Sequence, residues 1–224
     1  MAGLPADVAR PAPAGTLTGT LRAAGVVGVL RAPDVAAAVH AAHAAARGGL
    51  RVLELTFTTP GVTDALRTLR AELRGVTVGV GTVLSAAQAH EAVMAGAQFL
   101  VSPHLDEDLL REAQALGVPY LPGVLTPSEA VRATRLGASV LKVFPAASAG
   151  GPGFIRDLRG PLPHLHLMVT GGVRPHEVPA YRAAGALAVG LGGHLFPAQA
   201  VQGGDWDAVE AATRAALREA GLPL

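Results

Sequence analysis

Short runs of β-branched and aliphatic residues alternate with alanine-rich stretches along the chain, repeating roughly every 20–25 residues from about residue 15 onward. The runs are VVGVLRA (26–32), RVLELTF (51–57), TVGVGTV (77–83), FLVSP (99–103), YLPGVL (120–125), VLKVFP (140–145), HLMVTGG (166–172) and LAVGLGG (187–193). Most are apolar without strict alternation, which predicts parallel strands buried on both faces. The intervening pattern predicts helices. The segment 34–47 opens at Pro33-Asp34, and 127–136 opens at Thr126-Pro127 with Glu129 at capping-box spacing from Thr126. Gly48, Gly96, Gly117, Gly137 and Gly185 stand where helices need a terminating residue.

Eight strand–helix repeats in 224 residues predict an α/β protein, a (β/α)₈ TIM barrel, over an open doubly wound sheet. The polar residues support this choice. Thr58, Thr82, His104, Thr126, Lys142 and Thr170 fall at or just beyond the C-terminal ends of the runs. In a barrel those ends converge on one mouth, whereas an open sheet gathers ligands only at its switch point. Residues 16–224 are expected to form this single barrel domain. Residues 1–15 carry three prolines and no continuous apolar segment, so they are expected to be a flexible leader or an extra N-terminal helix, not a signal peptide.

Composition narrows the classes. The formal net charge is +1 and the arginines are scattered, which argues against nucleic acid and anionic membrane surfaces as partners. No apolar stretch approaches the ~18 residues of a membrane span. With no cysteine, disulfides and thiolate metal sites are excluded. A cytoplasmic protein is expected, with no metal. His164 and His166 lie two apart without an apparent carboxylate partner.

Lys142 is the single lysine, set in the apolar run VLKVFP, while 17 arginines carry the other positive charges. Arginine stays protonated, whereas a desolvated lysine loses its proton readily and can then attack a carbonyl. The amine is therefore either a Schiff-base nucleophile or half of a buried ion pair. Alternation along 51–57 puts Val52, Glu54, Thr56 and Thr58 on one side and the apolar Leu53, Leu55 and Phe57 on the other. The apolar set suits packing against helices, so Glu54 is expected inside the barrel, facing Lys142. Such a pair serves as a structural salt bridge or as a proton shuttle. Gly79 and Gly81 leave interior space beside the Thr82 hydroxyl. The diglycines 171–172 and 192–193 end the last two runs, where barrels commonly bind phosphate on exposed N–H groups. His104 is expected at the rim.

The segments LELTFTTP, GVGTV, FLVSPHLD, YLPGVLTPSE, LKVFPA and VTGGV, in this order and spacing, resemble the class I aldolases of 2-keto-3-deoxy-6-phosphogluconate (KDPG) and 4-hydroxy-2-oxoglutarate (KHG). The resemblance runs from about residue 20 to 220. It implies a cofactor-free carbon–carbon lyase acting on a small 2-keto acid, with Lys142 forming an imine with pyruvate and Glu54 moving protons. It further implies that Thr82 and Thr170 hold the pyruvyl unit, that Phe144 packs beside the imine and that Pro103 shapes the wall. Gly171, Gly172 and Gly192 fall where the family binds substrate phosphate. A homotrimer is implied as well. Two positions depart from the pattern. Thr58 stands where many members carry a carboxylate-binding arginine, a role Arg31 is expected to take over. Gly193 stands where a serine often meets phosphate. A phosphogalactonate-derived substrate, or a sugar-phosphate barrel without aldolase chemistry, is the alternative.

Overall fold

The structure, a computed structural model, describes residues 14–223. Its strands are β1 (Val26–Leu30), β2 (Val52–Thr56), β3 (Thr77–Gly81), β4 (Leu100–Val101), β5 (Tyr120–Leu121), β6 (Gly123–Val124), β7 (Leu141–Val143), β8 (Leu167–Thr170) and β9 (Ala186–Leu191). The helices are α1 (Ala14–Ala24), α2 (Val35–Arg47), α3 (Val62–Glu72), α4 (Ala86–Met94), α5 (Glu107–Ala115), α6 (Pro127–Arg135), α7 (Gly151–Arg159), α8 (Val178–Ala183), α9 (Ala198–Gly203) and α10 (Trp206–Glu219).

All pairings are parallel, in the order β5-β4-β3-β2-β1-β9-β8-β7-β6. The two ends of this series are the halves of the fifth predicted run, interrupted at Pro122, which has no N–H to donate to a ladder. The sheet thus closes on itself through one bent strand, and the eight predicted runs form an eight-membered ring. Several runs shorten at their mouth ends: the fourth to 100–101, the sixth to 141–143.

The helix starts follow their caps. Asp34 accepts from the Ala37 N–H at 2.8 Å at the start of α2. Thr126 and Glu129 form the reciprocal capping box of α6, with Glu129 Nα–H to Thr126 Oγ1 at 3.2 Å and Thr126 N–H to Glu129 Oε2 at 2.8 Å. At the end of α2 the left-handed residue is Gly49, not Gly48, which stays right-handed.

Two apolar shells result. Leu53, Leu55, Val78 and Val80 point outward into the layer shared with the helices. Val27, Val52, Phe99, Val101, Leu121, Val140 and Met168 fill the barrel interior. Leu17 and Leu21 of α1 join that inner cluster and cover one end of the barrel. The extra helix begins at Ala14, inside the expected leader, whose residues 1–13 lie outside the described part.

Candidate active site

The opposite end, toward which the strands run, opens into a cleft of about 510 Å³. Its floor is Lys142, central in β7 and in register with Gly123 of β6 and Met168 of β8. Lys142 is 6 % exposed and Glu54 of β2 is 0 % exposed, and the Lys142 Nζ lies 3.7 Å from Glu54 Oε1. This separation is an ion-pair contact slightly longer than a hydrogen bond. Both carboxyl oxygens of Glu54 are buried with no hydrogen-bond partner among the described residues. An unsatisfied buried carboxyl costs free energy that a purely structural pair would have removed by closing.

The interior is hollowed to receive these groups. A Cβ at Gly81 would overlap the Glu54 carboxyl, and one at Gly190 would come within 2.5 Å of Thr170 Oγ1. Gly190 pairs in register with Thr170, so the missing side chain of one strand houses the hydroxyl of the next. The Thr170 Oγ1 is itself buried and unpartnered, at the wall of the cleft. Thr82, directly after β3, lines the cleft with φ of 57°. Left-handed backbone at a β-branched residue is strained by about 1–3 kcal/mol, a feature concentrated at ligand sites. Phe144 lies along the cleft with its ring centroid 5.4 Å from Lys142 Nζ.

Pro103 forms another wall, and its turn is tied down from beneath. Ser102 Oγ bonds the His104 carbonyl oxygen and stands 2.5 Å from the Tyr120 hydroxyl. Burial pushes the Tyr120 phenol up to about 12, against the opposing effect of its bond to Ser102, with Asp106 adding to the rise. Gly123 permits the close approach, since a Cβ there would overlap the Pro103 carbonyl group. His104 itself is exposed near Asp106, at 3.9 Å, and does not line the cleft.

Gly171 and Gly172, with φ of 102° and 73°, turn the chain out of β8 into the mouth. Such dihedrals suit glycine, and they expose backbone N–H groups. Gly192 and Gly193 line the facing wall together with Arg31 at the end of β1. Arg31 has no ion-pair partner among the described residues. Thr58 is the predicted residue that does not join. The strand ends at Thr56, the following turn carries Thr58 to the surface, and its hydroxyl bonds Thr56 Oγ1 at 2.7 Å.

Two basic side chains enter that the sequence reading missed: Arg174 and His194. Each follows closely on a diglycine, in VTGGVR and GLGGH, so the first basic side chain beyond each glycine pair was the available signal. Among the described residues lining the cleft, the ionisable ones are Arg31, Lys142, Arg174 and His194, all bases. Such a lining can attract an anionic ligand and present a carbonyl to the Lys142 amine. Among the described residues no cluster of three His, Cys, Asp or Glu side chains converges to hold a metal.

A family model of the KDPG and KHG aldolases matches residues 17–212. The chain belongs to this aldolase family. It is 36% identical over 198 residues to the 2-dehydro-3-deoxy-phosphogluconate aldolase of Pseudoalteromonas atlantica, covering 88% of this chain and 92% of that one. It is likewise 36% identical to the KHG/KDPG aldolase of Escherichia coli K12, with the same shares covered. The crystal structure of KDPG aldolase from Legionella pneumophila superimposes with a TM-score of 0.83 at 30% identity, over 89% of this chain and 97% of that one. That crystal holds pyruvate as a covalent carbinolamine intermediate. The barrel is thus an aldolase, a carbon–carbon lyase acting on small molecules. No helix among its described residues is long and apolar enough to cross a membrane.

Proposed function

We propose that this chain cleaves 2-keto-3-deoxy-6-phosphogluconate, and 4-hydroxy-2-oxoglutarate, to pyruvate and an aldehyde through an imine on Lys142. The observation that carries the reading is the buried Lys142–Glu54 pair, 3.7 Å apart at the floor of a cleft whose other ionisable side chains are all bases. The amine adds to the C2 carbonyl, and loss of water gives the iminium. Glu54 takes the C4 hydroxyl proton, the C3–C4 bond breaks, and its electron pair passes into the iminium to form the enamine. The aldehyde, glyceraldehyde 3-phosphate or glyoxylate, departs. Protonation at C3 and hydrolysis then release pyruvate and restore the amine.

Arg31 supplies the cation for the pyruvyl carboxylate, with the hydroxyls of Thr82 and Thr170 beside it. Phe144 and Pro103 wall off the imine. The N–H groups around Gly171, Gly172, Gly192 and Gly193, with Arg174 and His194, receive the distal anion. A backbone cradle needs no hydroxyl at position 193 to bind phosphate, so the missing serine leaves a phosphorylated substrate favoured. We further propose one barrel domain over residues 16–224, working in the cytoplasm as a homotrimer. The exposed apolar Leu84 and Leu125 at strand-end loops suit a subunit contact. Light scattering tests the assembly against three times the 22.5 kDa of the chain.

The direct test is borohydride reduction in the presence of pyruvate, followed by peptide mass spectrometry. One pyruvyl adduct on Lys142 is expected. An unlabelled wild type, or equal labelling of Lys142→Arg, rejects the imine.

A further inference from the structure

A second cavity of about 320 Å³ adjoins the reaction cleft, and Val29, Arg31, Gly192 and Gly193 line both. Beyond this shared wall its surface is formed by the buried Phe196 and Val201 together with Ala198 and Gln202, the last three on the short helix α9. The wall between the two spaces carries no side chain at its two glycines. A Cβ at Gly193 would meet nothing within 4 Å, and one at Gly192 only the Val29 carbonyl oxygen at 3.6 Å. Packing therefore does not explain glycine at 193, which leaves open space on the wall the two cavities share. Arg31 is the single charged side chain among those lining the second cavity. Its far end is formed mainly by the apolar Phe196, Ala198 and Val201, with the uncharged amide of Gln202 as the only polar side chain among the described residues there.

We propose that this second cavity is an annex of the reaction site that takes the uncharged, apolar substituent of an acceptor aldehyde in the bond-forming direction. The proposal rests on the aldolase reading above. Pyruvate is held on Lys142 as its enamine, and C3 donates its electron pair to the aldehyde carbon. The carbonyl π pair moves to oxygen, which takes the proton carried by Glu54. Water hydrolyses the resulting iminium and releases RCH(OH)CH₂COCOO⁻ with the free amine. The group R, lacking a distal anion for Arg174 and His194, turns past Gly193 against Phe196 and Val201.

The test is a series of linear aldehydes from acetaldehyde to hexanal with pyruvate, compared with glyoxylate. Burial of each added methylene is worth about 0.8 kcal/mol, so kcat/KM is expected to rise roughly three- to fourfold per carbon in the wild type. Ala198→Phe fills the annex from the exposed start of α9, and Gln202→Trp fills it from the next turn. Both should flatten the series while leaving the rate with glyoxylate within about twofold. A flat wild-type series beside normal glyoxylate turnover overturns the annex and leaves the aldolase reading standing. So does a series that climbs equally in both variants. Absence of product with every aldehyde, together with no pyruvyl adduct on Lys142, removes the aldolase reading and the annex together.

Discussion

Glu54 extends its carboxyl into the volume that a side chain at position 81 would occupy. Its partner in the ladder is Gly79, and Gly81 pairs one step further on with Thr56. The glutamate therefore leans along the barrel toward the mouth, and this lean brings Oε1 to 3.7 Å from Lys142 Nζ. Gly79 is empty for a different reason, because the ring of Phe99 fills the place of its Cβ at 2.5 Å. The two glycines of GVGTV thus make room for a core ring, Phe99, and for a buried carboxyl, Glu54.

Gly81→Ala should displace the Glu54 carboxyl. Overpacking is expected to destabilise the fold by about 1–3 kcal/mol. Turnover should fall at least tenfold, while borohydride trapping of pyruvate on Lys142 persists. Adding Glu54→Ala to this variant should restore much of the stability but no activity, a coupling that chemical denaturation and steady-state kinetics read separately. Additive stability losses would count against the contact.

Thr82 is strained at φ of 57° while it lines the cleft. Thr82→Gly is expected to leave the protein as stable as before or up to about 1 kcal/mol more stable, since the strain relieved and the added chain entropy partly cancel. It should nevertheless lower kcat/KM. Calorimetry showing a clear loss of stability would mean that the hydroxyl holds the fold and not the substrate.

Arg174 and His194 should distinguish substrates by reach. Arg174→Ala and His194→Gln are each expected to raise KM for 2-keto-3-deoxy-6-phosphogluconate roughly tenfold, as loss of a charge-assisted hydrogen bond implies. The same variants should leave KM for the shorter 4-hydroxy-2-oxoglutarate within about twofold. Equal effects on both substrates would mean that these side chains meet the anion common to both.

The ultraviolet phenolate signal should appear late in an alkaline titration. Burial raises the Tyr120 phenol to about 12, and Tyr181 is also raised by burial with Glu177 adding to it. An unfolded tyrosine ionises near ~10. The stability contributed by a neutral Tyr120 is therefore complete below pH 10 and is lost as pH rises through the folded value near 12. Native protein that ionises both tyrosines in the ordinary range would contradict this burial.

The periodic pattern of the chain determined the barrel by itself, because buried parallel strands leave unbroken apolar runs and capped helices leave their polar punctuation. It also determined the inward set of β2, since alternation separates Glu54 from Leu53 and Leu55, and it singled out Lys142 by residue usage alone. Three other features depended on the folded chain. The turn after Thr56 removes Thr58 from the mouth, because alternation ceases to apply where the strand ends. The loops after β8 and β9 bring Arg174 and His194 into one cleft; the diglycine before each marks a turn in the sequence, but only the fold makes the two turns meet. The bend at Pro122 closes the ring, while the space at Gly81 and the gap at Gly193 take their meaning from atoms far away in sequence. Local sequence sets which face a residue presents. What that face meets is decided by long-range packing, which alone brought a lone lysine and a buried glutamate within 3.7 Å of each other.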